Sequence, residues 1–212
     1  MATPTRFWDR IADRYSKSPI ADEDAYQKKL DVTRRHFTPE SEVLELGCGT
    51  GGTALLHAPH VKHYRATDVS KRMIEIAEGK KSEGSYENVS FEQASLEGID
   101  VADASVDVVL TMSLLHLLDD REPAIRRVYD MLKPGGVFVS STACLGDHMK
   151  WFRFIGPIGR SIGLMPLVRV FSRQELLDSI TQAGFEIDYE WRPGKGKAVF
   201  VVAKKPDTRV ET

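Results

Sequence analysis

A short apolar run that ends in closely spaced glycines, residues 43–52, is the part of the chain whose residue types best suit a ligand site. Gly47, Gly49 and Gly51 would let the backbone approach a ligand where side chains would otherwise stand in the way. The residues that follow have helical composition, so the turn would present the free N–H groups of a helix start. Asp68, at the predicted end of the next strand, could accept hydrogen bonds from the hydroxyls of a ribose. Together these features predict a site for a nucleoside cofactor.

These residues lie in a chain that alternates between strands and helices. Apolar runs bounded by turn residues predict strands at 42–47, 63–68, 89–93, 106–112 and 137–142. Such alternation is typical of parallel strands joined by crossover helices, with ligands bound beyond the carboxyl ends of the strands. Two further segments, 185–191 and 197–204, flank a Pro-Gly turn and are predicted to pair as a hairpin. Two helices, over about 5–17 and 22–37, are predicted before the first strand.

The glycine pattern by itself leaves the kind of cofactor open. Gly47-x-Gly49-x-x-Gly52 also satisfies the fingerprint of nicotinamide-binding proteins. A strand–glycine–helix turn can also be a packing feature without a ligand. The rest of the chain is therefore needed to choose between these interpretations.

Four segments in order resemble the motifs of class I S-adenosylmethionine-dependent methyltransferases. Residues 45–51 are similar to the first motif, with an acid two residues before the first glycine. Asp68 matches the family's ribose-binding acid, 106–112 its fourth strand, and 132–138 the turn into its fifth strand. The resemblance covers roughly residues 40–145. It implies a methyltransferase that uses S-adenosyl-L-methionine, yields S-adenosyl-L-homocysteine, and is similar to the small-molecule enzymes of ubiquinone and menaquinone biosynthesis.

The resemblance also implies the architecture. We expect an α/β fold with a single Rossmann-like, doubly wound sheet of seven strands, mostly parallel, with a C-terminal antiparallel hairpin and helices on both faces. The chain is expected to form one domain, 1–212. Its expected parts are an N-terminal helical cap (1–38), a cofactor-binding core (39–143), a substrate lid (144–171) and a C-terminal helix and hairpin (172–205).

Position by position, the resemblance implies a set of cofactor contacts. The residues expected to make them are Tyr15, Tyr26, Lys29, Gly47, Cys48, Gly49, Gly51, Asp68, Val69, Ser70, Met73, Ser95, Leu96, Met112 and Ser113. The glycine turn would pass beneath the amino-acid and ribose parts of the cofactor, and Val69 and Ser70 would flank the adenine. Ser95 stands where the family often has an Asp that contacts the adenine amino group, so discrimination of the base is less certain here.

Three of these residues belong to the N-terminal helices. Tyr15, Tyr26 and Lys29 could close over the cofactor, with Lys29 at the methionine carboxylate. Alternatively, Tyr26 belongs to the core and Lys29 is an ordinary solvated side chain.

Residues for the acceptor side are suggested by position. His116 follows the fourth strand at the ligand-binding edge, where it could take a proton from an acceptor hydroxyl or thiol. A hydrogen-bonded structural histidine is an equally valid interpretation. The segment 144–171 is rich in large apolar residues and broken by Gly and Pro, which suits a lid over a hydrophobic or aromatic acceptor, with His148 and Trp151 as substrate contacts. It could instead be a plain cover for the sheet, a dimer contact, or a surface that rests on an anionic membrane.

Two rival functions remain. Tyr129-x-x-x-Lys133 imitates the catalytic pair of short-chain, nicotinamide-dependent oxidoreductases. Because Lys133 directly precedes Pro134, we interpret the pair as a helix end with a terminal cation. The second rival is a protein that binds S-adenosylmethionine without catalysis.

Composition limits the remaining possibilities. The 212 residues are 42% hydrophobic and 28% charged, which is ordinary for one globular domain, and the formal charge of −2 argues against nucleic acid as a partner. No apolar run approaches the roughly 18 residues of a membrane span, and the charged N-terminus does not resemble a signal peptide. Cys48 and Cys144 are expected to be free thiols in the cytoplasm. We expect no metal, a small-molecule acceptor, and a monomer or homodimer.

Overall fold

The computed structural model describes residues 4–84, 86–149, 151–152 and 165–207. Its helices are α1 Pro4–Ser16, α2 Glu23–Arg34, α3 Gly52–His57, α4 Lys71–Glu83, α5 Arg121–Met131 and α6 Arg173–Gln182. Its strands are β1 Glu42–Leu46, β2 His63–Asp68, β3 Val89–Gln93, β4 Val106–Met112, β5 Leu132–Thr142, β6 Glu186–Trp191 and β7 Val199–Lys204. Short 3₁₀ turns occupy Ala58–His60, Leu115–Leu117 and Leu145–Asp147.

The strands form one sheet in the order β3-β2-β1-β4-β5-β7-β6. The first five in this order are parallel, and β7 lies antiparallel between β5 and β6. The predicted seven-stranded α/β fold with a C-terminal antiparallel hairpin is therefore confirmed. The strand order reverses between β1 and β4, and in open α/β sheets the crevice beyond the carboxyl ends at such a reversal is where ligands bind.

Side chains on the two faces of the sheet belong to separate hydrophobic clusters. One cluster joins Leu44, Val109 and Phe138 to residues of α5 and α6. The other joins alternate residues of the same strands to α2 and α3. Since neighbouring positions of β1, β4 and β5 enter opposite clusters, these strands are buried on both sides, as their continuous apolar sequence predicts.

Most helices begin at the side-chain caps that the sequence contains. Ser70 Oγ accepts from the N–H of Met73 at 3.1 Å, and Asp22 Oδ1 accepts from Ala25 at 3.2 Å. Helix α6 begins at a capping box, with reciprocal hydrogen bonds between Ser172 and Glu175. These bonds satisfy N–H groups that have no partner within the helix.

Several boundaries differ from the predictions. Helix α2 ends at Arg34, about three residues before its predicted end, and α3 gives way to a 3₁₀ turn at Ala58, next to Pro59. Strand β6 begins one residue later than predicted, because the N–H of Phe185 donates to the carbonyl of Ile180 in α6. Strand β7 begins two residues later, because Lys197 closes a turn through its N–H to the carbonyl of Gly194.

The largest difference is at the start of β5. The strand begins at Leu132 rather than 137, with a register shift against β4. Lys133 is therefore not the terminal cation of α5, as we had interpreted it. Its Nζ instead pairs with both carboxylate oxygens of Asp107 at 2.8 and 2.9 Å.

Among the described residues, none of the helices is long and apolar enough to cross a bilayer.

Candidate cofactor site

The glycine turn after β1 has a backbone that other residues would adopt only with strain. Gly49 and Gly51 have φ angles of +55° and +76°, in the left-handed region. A Cβ on Gly51 would also lie 2.6 Å from Cζ of Phe91, which is closer than real side chains approach. The N–H groups of Gly47 and Cys48 both donate to the carbonyl of Thr67, at 2.8 and 2.9 Å. The turn is thus fixed against the end of β2, and glycine is required within it.

Asp68 is held at the same place by backbone donors. Its Oδ2 accepts from the N–H of Gly49 and its Oδ1 from the N–H of Ser70, each at 2.9 Å. Burial raises the pKa of Asp68, while these backbone hydrogen bonds act in the opposite direction. Each carboxylate oxygen retains a further lone pair, so the group can still accept hydrogen bonds from a ligand diol. The predicted juxtaposition of glycine turn and acid is therefore present, and the acceptor oxygens of the acid fit a ribose diol.

A second acid lies behind the turn. Glu45 on β1 is buried and accepts a hydrogen bond from the hydroxyl of Tyr64 at 3.0 Å. Burial raises the pKa of Glu45 to about 7, and the neighbouring charge of Asp68 acts in the same direction. The sequence places Glu45 in the motif, but it does not reveal Tyr64 as its partner, because that partnership depends on the β1–β2 register.

Helix α1 is fastened beside the turn through α4. Asp9 Oδ1 accepts from Ser70 Oγ at 2.6 Å and from the N–H of Arg72 at 3.1 Å, and Arg72 also pairs with Asp13 at 2.7 Å. The roles of Asp9 and Asp13 are not evident from the sequence, because both acids lie about sixty residues from their partners at the start of α4. A carboxylate near the start of α4 is also favoured by the unpaired N–H groups there.

Tyr15, the first of the three cofactor contacts predicted in the N-terminal cap, lies at the glycine turn. Cε1 of Tyr15 lies 3.8 Å from the position that a Cβ on Gly49 would occupy. Burial of its hydroxyl raises the pKa of Tyr15, and the charges of Asp68 and Glu45 raise it further, although the residue as a whole is half-exposed. The structure thus brings Tyr15 together with the turn and Asp68.

The other two cap residues reach different elements. The Tyr26 hydroxyl lies 3.2 Å from Oγ1 of Thr53, in the first turn of α3. Lys29 Nζ donates to Oγ of Ser141, at the carboxyl end of β5, at 2.9 Å. Ser141, which sequence analysis missed, therefore belongs to this edge of the sheet.

The carboxyl end of β4 is next to the turn. Ser113 has a φ of +62°, unusual for a residue with a side chain, and its N–H donates to the carbonyl of Ser141 at 2.7 Å. Met112, directly before it, is paired in register with Ser141 and packs partly against the core. The side chain of Leu114 lies against Gly47 at the end of β1, where it would contact any Cβ on that glycine. Such strained backbone is often found at functional sites.

The predicted adenine contacts lie beside Asp68. Val69 receives a hydrogen bond on its carbonyl from Gln93, and Met73 is buried in the first turn of α4. The N–H of Ala94 donates to the carbonyl of Asp68. The chain therefore leaves β3 next to Asp68, with Ser95 and Leu96 as the residues that follow. Ser95 Oγ accepts from the N–H of Gly98 at 3.1 Å, and Leu96 packs partly against the α5–α6 cluster.

His116 lies in the 3₁₀ turn that follows β4. Its Nδ1 is buried and has no hydrogen-bond partner among the described residues, and burial lowers the pKa of the ring to about 4. The ring is therefore neutral near pH 7 and able to accept a proton, though only as a weak base. No hydrogen bond holds it in a structural role through Nδ1.

The predicted substrate residues lie farther along the edge. Nε2 of His148 is 3.6 Å from the position of a Cβ on Gly196, so it faces the β6–β7 loop. Trp151 is 55% exposed, with its ring edge against Phe152. The rest of the predicted lid, residue 150 and residues 153–164, lies outside the described residues. Within those described, no group of His, Cys, Asp and Glu has the arrangement of a metal site.

The sheet order, the glycine turn and the acid at the end of β2 define the class I S-adenosylmethionine-dependent methyltransferase fold. A family model described as a methyltransferase domain matches residues 43–136. The chain is 35% identical, over 109 residues, to an uncharacterized methyltransferase, YcgJ, of Bacillus subtilis; the match covers 51% of this chain and 41% of that protein. Residues 43–136 of the chain thus carry a methyltransferase domain.

Two further comparisons agree with this assignment. The ubiquinone/menaquinone biosynthesis C-methyltransferase UbiE of Geotalea daltonii is 27% identical over 141 residues, covering 62% of this chain and 60% of that protein. The crystal structure of YcgJ superposes with a TM-score of 0.70 at 19% identity, covering 85% of this chain and 99% of that one. The sequence matches thus span less than two thirds of the length of these curated relatives.

Proposed function

We propose that the chain binds S-adenosyl-L-methionine at the glycine turn and transfers its methyl group to a small hydrophobic or aromatic acceptor. The observation that carries this proposal is the Asp68 carboxylate. It is fixed by the N–H groups of Gly49 and Ser70 beside the turn, with lone pairs left for a diol. Similarity to S-adenosylmethionine-dependent methyltransferases suggests the cofactor. The apolar composition of 144–171 suggests the class of acceptor.

The arrangement of strands supports one direction for the bound cofactor. The adenosine would lie at the ends of β2 and β3, among Asp68, Val69, Ser70, Met73, Ser95 and Leu96. The amino-acid part would cross β1, above Gly47, Cys48, Gly49 and Gly51, toward Met112 and Ser113 on β4. Tyr15 and Tyr26 would cover it from α1 and α2.

The cofactor, when bound, supplies a methyl group on an activated sulfonium leaving group. The residues of this chain then have mainly to hold the acceptor atom in line with that methyl group, which can contribute roughly 7–11 kcal/mol to lowering the barrier. A dedicated base is optional. His116 would serve as one for a hydroxyl or thiol acceptor, since its ring is neutral near pH 7.

Binding measurements test the cofactor. We expect calorimetry with the full chain to detect S-adenosylhomocysteine and to detect NADH far more weakly, if at all. Tighter binding of NADH would contradict the proposal. The structure offers little to a short-chain oxidoreductase, because Lys133 pairs with Asp107 and Tyr129 packs edge-to-face on Phe185 at 5.0 Å.

Turnover tests the chemistry. S-adenosylmethionine labelled in its methyl group, incubated with the protein and a cell metabolite extract, should yield a labelled small molecule. Asp68→Asn is the matched control, because at cofactor concentrations below its weakened affinity it should strongly reduce labelling while changing the shape of the side chain very little. Binding of S-adenosylhomocysteine without any labelled product would favour a non-catalytic protein.

A further inference from the structure

The Lys29 side chain carries a charge whose one hydrogen-bond partner among the described residues, the hydroxyl of Ser141, is neutral. Its amine is half-buried and donates to Oγ of Ser141 at 2.9 Å. No carboxylate among the described residues lies within ion-pair distance of it. Asp22, whose charge acts on it from farther away, is occupied by Lys197 at 3.2 Å and by the N–H of Ala25. A partly buried cation in this position is stabilised by an anion, and the described residues place none within ion-pair distance of it.

The position of Lys29 on the sheet indicates which end of a ligand it would meet. Ser141 is on β5, whereas the ribose acid Asp68 is on β2, and β1 and β4 lie between them. Three strand spacings separate the two residues, about 14 Å across the sheet. The amino-acid part of the cofactor, as proposed above, ends over β4. Lys29 therefore lies one strand farther on, where an acceptor would approach the methyl group.

Two further amines lie near Lys29, on α2 and in the β6–β7 loop. Burial lowers the pKa of Lys29, the charge of Asp22 opposes that shift, and the charge of Lys197 acts in the same direction as burial. Lys28 lies over the ring of Trp191, with its Nζ 4.1 Å from the ring centroid. Because Asp22 is paired with Lys197, the charge of Lys197 is largely offset, and Lys29 is the amine left to meet an anion at the end of β5.

We propose that Lys29, positioned by Ser141, binds an anionic oxygen of the methyl acceptor, so that the acceptor is a carboxylate or a molecule of similar charge. This inference rests on the proposed function, because it places the acceptor beside the cofactor. It differs from the assignment that the family resemblance suggests, in which Lys29 meets the methionine carboxylate. Lys29 is thereby a specificity-determining residue.

Matched ligand pairs test the preference for an anion. The protein is saturated with S-adenosylhomocysteine and titrated, by ligand-detected NMR, with acetate and acetamide, benzoate and benzamide, and octanoate and octanamide. We expect at least one carboxylate to bind roughly tenfold or more tightly than its amide, because a hydrogen bond between two charged groups is stronger than its neutral counterpart. Lys29→Met and Lys29→Gln should remove that preference. Lys28→Met, which removes a neighbouring exposed amine, should preserve it.

The two nucleosides S-adenosylhomocysteine and 5′-methylthioadenosine separate the possible outcomes. If the proposal is correct, the Lys29 variants bind S-adenosylhomocysteine as the wild type does, which also establishes that they are folded. Weaker binding of S-adenosylhomocysteine with unchanged binding of 5′-methylthioadenosine would assign Lys29 to the cofactor carboxylate and overturn the proposal. Absence of any carboxylate preference in the wild type, or loss of both nucleosides in both variants, would overturn it as well. Only failure of the wild type to bind S-adenosylhomocysteine would overturn the proposed function itself.

Discussion

Replacement of Asp68 by Asn should weaken cofactor binding strongly while keeping the shape of the site. The carboxylate now accepts one backbone hydrogen bond on each oxygen, from Gly49 and from Ser70. In the complex each oxygen would also accept from one ribose hydroxyl. Asparagine keeps one acceptor oxygen and replaces the other with an NH₂ group. That NH₂ group would face the ribose hydroxyl and the backbone N–H, which are also donors.

The magnitude follows from the lost interactions. A hydrogen bond to a charged group contributes roughly 1.5–3 kcal/mol, and one such bond to the ribose is lost outright. The second bond changes from charged to neutral, which costs about 1 kcal/mol more. The sum, about 2.5–4 kcal/mol, corresponds to a loss of roughly 70-fold to 900-fold in the affinity for S-adenosylhomocysteine.

Isothermal calorimetry with S-adenosylhomocysteine measures this loss, and thermal unfolding confirms that the variant is folded. Glu92→Ala is a suitable control, because Glu92 is an acid on the neighbouring strand β3 that pairs with Arg65 on the outside of the sheet. It should bind the cofactor normally. An affinity of Asp68→Asn within a factor of two of the wild type would refute our placement of the ribose.

Three other perturbations have defined outcomes. Because burial raises the pKa of Glu45 to about 7, its neutral form is favoured in the folded state. Between pH 4.5 and pH 7 the free energy of unfolding of the wild type should therefore fall by about 3 kcal/mol relative to that of Glu45→Gln, as measured by urea titration. Equal pH profiles of the two proteins would contradict the burial argument. Ala104 is exposed with a φ of +49°, so Ala104→Gly should raise the free energy of unfolding by about 0.5–1 kcal/mol, whereas a less stable variant would show that the backbone is not strained there. Trp151→Ala should raise the acceptor KM or lower turnover, with an acceptor found by labelling, and leave S-adenosylhomocysteine affinity unchanged; unaltered acceptor kinetics would make this exposed ring purely structural.

The sequence predicts the parts of this molecule that depend on local patterns. The glycine turn and the strand before it are close together in the chain, and Asp68 follows at the end of the next apolar run. The strand β3 lies where it is predicted, and the Ser-x-x-Glu pattern of the capping box at Ser172 is visible in the sequence. In each case hydrophobic periodicity or a side-chain cap acts over a few residues, and the sequence shows both.

What the sequence did not predict depends on packing between distant segments. Lys29 and Ser141 are 112 positions apart, and no local pattern indicates that α2 crosses the end of β5. At the early start of β5 the partners are again far apart, since Lys133 pairs with Asp107 on β4. The predicted division of the chain into cap, core, lid and C-terminal part, and the roles of the individual site residues, stay predictions until ligand binding is measured.

Along the carboxyl edge of the sheet, the acidic side chains lie near β1 and β2 and the amine of Lys29 lies near β5. The acids Glu45 and Asp68 lie at β1 and β2, beneath the proposed ribose and sulfonium; burial raises the pKa of Glu45, and the negative charge of Asp68 raises it further. The amine of Lys29 lies at β5, on the other side of β4. A cationic sulfonium is favoured near the first pair and an anionic acceptor near the second, so the field itself would orient the two reactants toward each other across β4. This ordering requires no catalytic base, so the acceptor would be positioned even without a proton transfer to His116, whose Nδ1 has no hydrogen-bond partner among the described residues.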